Sequence, residues 1–370
     1  MDLSLPIIST STGLDSFKNI RRPSRRVMVG DVPVGGGAPI SVQTMTKTKT
    51  GDVKGTLEQI RRCEEAGVDI VRVTVNDWDA AEGIKEIVKG TKMPIVADIH
   101  INHVFAIKAL EAGVAKVRLN PGNIGSLERI HKVLGMAKER NTPIRIGVNS
   151  GSLEKDILEK HGYPTAEALF ESAMRHVEIC EDFGFSDVII SVKSTDVRLM
   201  IAAYRLISER TDYPLHLGVT EAGTIRVGTI KSAVGIGTLL AEGIGDTIRV
   251  SLTDEPEREV EVGKEILRSL SLASRNVEII ACPTCGRLEI DLFKVCEELE
   301  LATAHIKKPV KVAILGCVVN GPGEAAEADI GIAAGGGVGI LYRKGEVVRK
   351  IKESEIVEVL LEEINNFQPS

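Results

Sequence analysis

The chain has 370 residues, a formal net charge of −6 at neutral pH, and 43% hydrophobic but only 3% aromatic residues. This length is typical of two domains with at least one large core, and the aliphatic composition favours an α/β protein. The negative charge argues against general nucleic-acid binding, and no apolar run approaches the roughly 20 residues that span a bilayer. Because the N-terminus also has no apolar signal-peptide core, we expect a cytoplasmic protein whose six cysteines stay reduced and can bind metal.

Residues 1–38 are predicted to form an N-terminal arm and a hairpin. Residues 1 to about 25 are polar and basic, which predicts a solvated arm. The segment from Val27 to Ile40 contains Gly-Asp and Gly-Gly-Gly turns and predicts a small hairpin.

From residue 39 to residue 273 a short β-branched run, a polar or glycine turn and a longer amphipathic segment recur. The runs predict strands at Ile40–Thr44, Ile70–Val75, Ile95–Ile99, Ala115–Leu119, Ile144–Val148, Val188–Val192, Leu215–Val219 and Thr247–Leu252. The segments between them predict helices at Leu57–Ala66, Ala80–Val88, Val104–Ala112, Leu127–Lys138 and Ala166–Phe183. Eight alternating units over about 235 residues indicate a (β/α)₈ barrel, because a doubly wound sheet seldom needs that many.

Each predicted strand has one apolar and one polar face, since side chains two residues apart share a face. The apolar face, with residues such as Val71 and Val73, is expected to pack against the helices, which leaves the polar face toward the barrel axis. The polar sets are Arg72/Thr74/Asn76, Asp98/His100, Arg118/Asn120, Arg145/Gly147/Asn149, Ser191/Lys193, His216/Gly218/Thr220 and Arg249/Ser251/Thr253.

The inward cations predict an anionic ligand. They are Arg72, Arg118, Arg145, Lys193 and Arg249. Without counterions such groups would repel one another and lose solvation, whereas a polyanion at the C-terminal mouth of the barrel would neutralise them. The alternative is a barrel held together by internal ion pairs, but Asp98 and Glu221 are too few for this, so the pattern favours a phosphate-rich substrate.

Three further residues could move protons. His100 and His216 are either acid/base groups or hydrogen-bonded interior histidines. Glu221 lies at a predicted strand end and would project into the cationic mouth, which makes it the stronger candidate for a proton donor.

Residues 275–370 predict a small α+β domain. Its expected strands are Val277–Ala281, Val310–Leu315, Ile330–Ala333 and Val338–Tyr342, and its expected helices are Arg287–Ala304 and Ser354–Asn365. The triple glycine 335–337 has no phosphate-binding loop pattern around it and predicts a hairpin turn.

This second domain contains a candidate metal site at Cys282, Cys285, Cys317 and Glu324. Cysteines separated by two residues can bind one centre, and thiolates are ligands of both zinc and iron–sulfur clusters. The Asn-Gly-Pro-Gly sequence 320–323 predicts a sharp loop that returns Glu324 toward the thiols. The alternative is a structural zinc site, which usually has a second close pair of ligands. Cys296 lies on a helical apolar stripe and is predicted to be buried filler.

Together, these motifs resemble the 4-hydroxy-3-methylbut-2-enyl diphosphate synthase family, the iron–sulfur enzymes of the non-mevalonate isoprenoid pathway. The resemblance covers nearly the whole chain and is most specific in the tail, at 281–287 and 316–324. The barrel motifs are Ser41–Thr46, Ala97–His100, Val117–Gly122, Arg145–Asn149, Leu217–Gly223 and Arg249–Leu252. The chain looks like the short bacterial form, apart from its longer N-terminal arm.

The resemblance implies reductive opening of 2-C-methyl-D-erythritol 2,4-cyclodiphosphate, with two electrons delivered by flavodoxin or ferredoxin through a [4Fe-4S] cluster. It implies cluster ligation by Cys282, Cys285, Cys317 and Glu324. The expected substrate-binding residues are Arg72, Arg118, Arg145, Asn149, Lys193, Lys231, Arg249 and Ser251, and the expected catalytic residues are Glu221, His100 and Asp98. The alternatives are a zinc-tailed phosphosugar lyase or isomerase and a non-catalytic electron carrier or iron sensor.

The connection between the two domains predicts a homodimer. The eighth barrel helix, about Glu257 to Leu272, would run about 24 Å away from the mouth. The linker Ala273–Asn276 reaches only about 13 Å. We therefore expect a head-to-tail dimer in which each cluster domain caps the partner's barrel.

Overall fold

The computed structural model describes residues 21–119, 124–273, 276–317, 319 and 321–368. The chain divides into two compact units, Met1–Ala273 and Ser274–Ser370. Within the described ranges, no helix combines the length and apolar character needed to cross a membrane.

The first unit contains a barrel of parallel strands. These are β3 (Ser41–Met45), β4 (Ile70–Thr74), β5 (Ile95–Ile99), β6 (Lys116–Leu119), β7 (Ile144–Asn149), β8 (Val188–Lys193), β9 (His216–Leu217) and β10 (Thr247–Ile248). They form one eight-stranded sheet in the order β8-β7-β6-β5-β4-β3-β10-β9, and a parallel bridge between Ile190 and Leu215 links its two ends. The predicted (β/α)₈ architecture is confirmed.

The last two barrel strands are shorter than the sequence predicted. Beyond β9 and β10 the chain bonds to other partners: the amide of Leu252 donates to the carboxylate of Glu259, and that of Thr253 donates to the carbonyl of Gly223. These bonds replace the strand ladder at the mouth, so Arg249 and Ser251 lie just past a strand end.

Helices cover the outside of the barrel strands. They are α1 (Val53–Glu65), α2 (Trp78–Gly90), α3 (His103–Glu111), α4 (Leu127–Glu139), α5 (Lys155–His161), α6 (Ala166–Asp182), α7 (Val197–Arg210), α8 (Ile225–Ala241) and α9 (Pro256–Ser269). The side chains of Asp52, Asp77, Asn102, Thr165 and Asp196 accept hydrogen bonds from the first turns of α1, α2, α3, α6 and α7. Such caps satisfy amides that have no partner inside the helix and so fix where these helices begin.

The predicted alternation of strand faces is confirmed. Val71, Val73, Val117 and Ile146 are completely buried in the large core between the strands and the helices. The polar residues of opposite parity therefore face the barrel axis.

A hairpin closes the N-terminal end of the barrel, as β1 (Val27–Val29) pairs antiparallel with β2 (Val32–Val34). Its valines form an apolar cluster with Ile70, Val96 and Ile189, which lie at or near the starts of β4, β5 and β8. The predicted hairpin is confirmed, and its packing leaves the C-terminal ends of the strands as the mouth.

The prediction of a solvated arm is wrong for residues 21–25. The guanidinium of Arg21 lies 3.0 Å from the carboxylate of Asp246, the hydroxyl of Ser24 donates to the same carboxylate at 2.8 Å, and Arg25 pairs with Asp212. Asp246 is only 2% exposed and needs such donors. The rest of the predicted arm, residues 1–20, lies outside the described residues.

The second unit is a mixed sheet with helices. Its strands are β11 (Val277–Ala281), β12 (Val310–Leu315), β13 (Ile330–Gly335), β14 (Val338–Arg343) and β15 (Glu346–Lys352), and its helices are α10 (Leu292–Thr303), α11 (Gly321–Ala326) and α12 (Ile356–Asn366). The order is β11-β12-β13-β14-β15, parallel from β11 to β13 and antiparallel from β13 to β15.

Some elements of the second unit differ from prediction. β15 was missed because it is almost wholly exposed and shows no apolar face. α10 begins at Leu292 rather than Arg287, since Asp291 caps it. Residues 321–323 were predicted as a sharp loop but begin the helix α11, with Pro322 in its first turn, where proline is tolerated. The hairpin turn at Gly336 and Gly337 is confirmed, and both have positive φ.

Candidate functional site

The barrel interior gathers the predicted cations. Arg72, Arg118, Arg145 and Lys193 are 7%, 6%, 1% and 7% exposed, respectively. Burial and the charges of Arg145, Arg72, Arg249 and Arg118 hold the pKa of Lys193 well below its ordinary value. Side chains from separate strands therefore form one cationic layer beneath the mouth.

Asp98 lies within this layer. Its carboxylate is 3.0 Å from Nη1 of Arg118 and 3.5 Å from Nε of Arg72. Burial alone would raise the pKa of Asp98, but the charges of Arg72 and Arg118 outweigh it and hold that pKa well below its ordinary value. Asp98 is therefore a fixed anion that orients two arginines, and its predicted catalytic role stays a prediction.

Sequence reasoning missed Glu259, the second carboxylate of the layer. Glu259 is fully buried on α9, where its oxygens lie 2.9 and 3.2 Å from the Arg249 guanidinium. It also accepts from the hydroxyl of Thr44 at 2.8 Å. The available signal was an acidic residue on the otherwise apolar stripe that includes Val260 and Ile266.

The carboxylates do not balance the cations. Asp98 and Glu259 pair with Arg72, Arg118 and Arg249, whereas Arg145 and Lys193 form no ion pair with any described residue. Two polar atoms of Arg145, Nε and Nη1, also have no hydrogen-bond partner there. A buried guanidinium without an acceptor is costly, so the layer is suited to bind an anion.

Some of the remaining predicted barrel residues lie beside members of the cationic layer, and others do not bond to it. Asn149 pairs in register with Lys193, Ser251 accepts a 2.7 Å hydrogen bond from Arg249, and the exposed His100 directly follows β5, two residues after Asp98. Glu221 is exposed with φ of +50°, and Lys231 is half-buried on α8. In the described residues neither of these two bonds to the cationic layer, and Asn120 lies outside those residues.

A deeper polar layer contains the predicted His216 and one residue that sequence reasoning missed, Lys116. Lys116 and His216 are completely buried, and neither Nζ of Lys116 nor either ring nitrogen of His216 has a partner in the described residues. Burial, then the charge of Arg145, lowers the pKa of His216 well below its ordinary value, which favours the interior histidine of the two predicted roles, but without the predicted hydrogen bond among the described residues. Lys116 shares strand parity with Arg118, which was the signal available in the sequence.

In the second unit the cysteines lie at one edge of the sheet. Cys282 directly follows β11, and a single residue, Gly316, separates Cys317 from the end of β12. These strands are parallel with Ala281 opposite Ile314, and the amide of Cys282 donates to the carbonyl of Ile314 at 3.3 Å. The register therefore brings both thiols to the same carboxyl edge.

The environment of Cys285 favours a thiolate. Cys285 is exposed, and hydrogen bonds from the backbone and side chain of Arg287 lower the pKa of its thiol. Cys282 is half-buried and packs against both apolar clusters of this unit. Cys296 is half-buried against the apolar cluster of this unit, where burial raises the pKa of its thiol, and its role as filler stays a prediction.

Glu324 lies on α11, whose backbone approaches β13 closely. A Cβ at Gly331 would lie 2.3 Å from the carbonyl oxygen of Ala325, so only glycine permits this approach. No three His, Cys, Asp or Glu side chains among the described residues converge on a single metal ion. A four-iron cluster takes one ligand at each iron, so its ligands need not meet at one point, and the donor set of thiolates on one edge fits such a group.

Comparisons with known proteins cover both units. A GcpE TIM-barrel domain matches residues 24–264, and a GcpE protein C-terminal domain matches residues 278–366. The chain is 57% identical over 347 residues to the 4-hydroxy-3-methylbut-2-en-1-yl diphosphate synthase (flavodoxin) of Clostridium acetobutylicum, covering 94% of this chain and 99% of that protein. It is 58% identical over 342 residues to the synthase of the same name from Symbiobacterium thermophilum, covering 92% of each.

Among solved structures, N-acetylneuraminic acid synthetase from Leptospira borgpetersenii matches with a TM-score of 0.50 and 12% identity, covering 76% of this chain and 98% of that one. A likeness at this identity shows the barrel fold alone. The family matches span both units, and the curated relatives share more than half of their residues with nearly the whole chain. The chain therefore belongs to the GcpE family.

Proposed function

We propose that this chain catalyses the reductive ring opening of 2-C-methyl-D-erythritol 2,4-cyclodiphosphate to 4-hydroxy-3-methylbut-2-enyl diphosphate. The observation that carries the proposal is the excess of buried positive charge in the barrel, since Arg145 and Lys193 have no carboxylate partner among the described residues. A cyclic diphosphate would supply the missing anions. The names of the close relatives support the same reaction.

The barrel residues have distinct tasks in this reaction. Two electrons enter, the ring C–O bond to the diphosphate breaks, and a hydroxyl group takes a proton and leaves as water. Arg72, Arg118, Arg145, Lys193, Lys231 and Arg249, with Asn149 and Ser251, are proposed to hold the diphosphate as its negative charge develops. Glu221 or His100 is proposed to deliver the proton at the mouth, and Asp98 keeps Arg72 and Arg118 in place.

We propose a [4Fe-4S] cluster held by Cys282, Cys285, Cys317 and Glu324. Thiolates are the usual ligands of such clusters, and the lowered pKa of Cys285 favours that form. When bound, the cluster supplies the electrons for the reaction. A cytoplasmic location is proposed with it, because these thiols must remain reduced.

The decisive experiment is anaerobic purification followed by iron, sulfide and zinc analysis and an assay with the cyclodiphosphate and a reductant. We expect about four irons and four sulfides per chain, together with formation of the linear diphosphate. Stoichiometric zinc with no visible absorption would instead favour the zinc-tailed phosphosugar lyase or isomerase.

Glu324 is proposed as a displaceable ligand, because a carboxylate oxygen matches cluster iron less well than a thiolate does. Glu324→Cys should retain the iron and sulfide yet lose turnover. An active Glu324→Cys enzyme would show that an exchangeable ligand at this position is unnecessary.

We propose flavodoxin as the electron donor, since the relatives carry this word in their names. Parallel assays with reduced flavodoxin and reduced ferredoxin at equal concentrations test the choice. A faster rate with ferredoxin would identify ferredoxin as the electron donor instead.

We also propose a homodimer. The outer face of α8 exposes Val227, Ile230 and Val234, which are 49%, 58% and 53% accessible and lie at helical spacing. An apolar helix face of this kind supports the proposal of a protein–protein interface. Mixing a Cys317→Ala chain with an Arg145→Met chain tests whether two chains share a site: activity should reappear, and failure despite demonstrated subunit exchange would mean that each chain works alone.

A further inference from the structure

Lys116 lies one side-chain layer deeper in the barrel than the arginines that face the mouth. On neighbouring strands Arg118 stands opposite Asp98, whereas Lys116 stands opposite Val96. Val96 belongs to the apolar cluster formed with the closing hairpin, so Lys116 sits between that apolar end and the cationic layer. Its side chain is 0% exposed.

The groups that face Lys116 are mostly positive or neutral. The positive charges of Arg145 on β7 and Arg72 on β4 lower the pKa of Lys116. Lys116 in turn contributes to lowering the pKa of the buried His216 on β9. β5 contributes the acidic Asp98, which is already bonded to Arg118 and Arg72. The hairpin strands β1 and β2 contribute only valines to the apolar cluster below Lys116.

An ammonium group in this position has little to stabilise it. Nζ of Lys116 has no hydrogen-bond partner among the described residues. Burying an unpaired charge costs far more than burying a neutral amine. Burial, followed by the charges of Arg145 and Arg72, lowers the pKa of Lys116 well below its ordinary value. The fully buried and unpartnered position of Lys116 therefore favours the neutral amine while no anion is bound.

We infer that Lys116 takes up a proton from solvent when the diphosphate of the substrate occupies the arginine layer, and so acts as a positioning residue that adds charge only when an anion is present. This inference rests on the proposed function. A dianion placed at Arg145 and Arg72 reverses the local potential that keeps the amine neutral. We expect Lys116 rather than His216 to take up the proton, because the ordinary pKa of an amine, 10.5, lies above that of an imidazole, 6.5.

As a consequence, Lys116 carries a positive charge only when the anionic ligand is bound. While the site is empty, Lys116 does not add to the repulsion between Arg145 and Arg72. Once the diphosphate is bound, the protonated amine attracts it from below. Because binding consumes a proton, affinity should fall as pH rises, by up to about tenfold per pH unit between the free and bound pKa values of the amine.

The test is isothermal titration calorimetry of the holoenzyme with the cyclodiphosphate, without reductant, in buffers of different ionisation enthalpy at one pH. The phosphate hydroxyls of the cyclic diphosphate are strongly acidic and its alcohol hydroxyls are very weakly acidic, so the ligand does not titrate near neutrality. Wild-type enthalpies should change with the buffer, with a slope near one proton taken up per ligand bound. In Lys116→Met the slope should fall by about one, and the pH dependence of Kd should flatten.

Lys85→Met, which removes an exposed lysine on α2, is the matched control and should behave as wild type. Lys116→Met should fold with an equal or higher Tm, since it removes a buried amine that is protonated on unfolding. If it does not fold, Lys116→Gln replaces it, because glutamine is polar but cannot be protonated.

The outcomes separate this inference from the proposed function. Binding with a buffer-independent enthalpy in wild type, or an unchanged slope in the Lys116 variants, would overturn the inference and leave the proposed function standing. Absence of any binding of the cyclodiphosphate would overturn both.

Discussion

The barrel interior and the cysteine edge of the second unit organise reactive groups in opposite ways. In the barrel, charged side chains such as Arg145 and Lys193 are almost fully buried on strands whose register fixes their positions. In the second unit, Cys282, Cys285 and Cys317 lie on loops after strands and are half-buried or exposed.

The difference shows which parts of the site are built before any ligand binds. Strand hydrogen bonds and a continuous apolar core hold the cations in place at the expense of their solvation. The loops bearing the cysteines have fewer such constraints, so a bound metal group would contribute more to their order. We therefore expect mutations in the barrel to change affinity and stability, and mutations at the cysteine edge to change cofactor content.

The largest effect is expected from Cys317→Ala. Removing a thiolate ligand should deplete iron and sulfide and abolish turnover, while the Tm of the barrel remains unchanged. Cys296→Ala is the matched control, because Cys296 packs against the apolar cluster of the same unit and should retain the metal. Iron and sulfide analysis with visible absorption measures both, and an iron-depleted Cys296→Ala chain would assign that thiol to the site instead.

Glu259→Gln should cause the next largest change, now in the barrel. Breaking one side of a buried ion pair costs about 3–5 kcal/mol of stability, because Arg249 would be left charged and uncompensated. Glu261→Gln on the same helix is the control: Glu261 is 51% exposed and pairs with Arg258 at the surface, where a pair is worth about 0–1 kcal/mol. Thermal unfolding measures both, and equal Tm values would show that Arg249 does not depend on Glu259.

Arg145→Met should weaken binding of the cyclodiphosphate by about 2–5 kcal/mol, since a charge-assisted contact in a desolvated site is lost. Its unliganded Tm should not fall, because Arg145 has no ion pair in the described residues to lose. Arg61→Met removes a surface arginine of α1 as the control. Calorimetric titration gives Kd, and an unchanged affinity would show that Arg145 does not bind the diphosphate and has a structural role instead.

Gly331→Ala should give the smallest of these effects and tests how α11 is placed. The new Cβ would meet the backbone of Ala325, so α11 must shift, at a cost of about 1–3 kcal/mol. Gly323→Ala, where a Cβ meets nothing within 4 Å, is the control. Thermal unfolding of the second unit and iron retention measure the effect of the shift. Equal Tm and iron content in Gly331→Ala and Gly323→Ala would mean that α11 can move without loss of stability or of iron.

Periodicity in the sequence was sufficient for the barrel. Alternation along β4 and β7 predicted which residues face the axis, and this alternation alone places Arg72 and Arg145 inside. The same rule includes Lys116, whose inward direction was overlooked although its parity indicates it. Short-range patterns work here because strand parity depends only on local backbone geometry.

Other features depended on contacts between residues distant in sequence. The pairing of Glu259 with Arg249 and Thr44, the docking of Arg21 on Asp246 and the closure of the barrel by the Val27–Val34 hairpin have no local signature. The helix at 321–326 replaced a predicted loop because it packs on β13, where Gly331 admits its backbone. The sequence alone determined strand parity, the candidate ligands and the family motifs. Only the tertiary structure decided which charges are compensated, because burial and pairing come from elements brought together by folding.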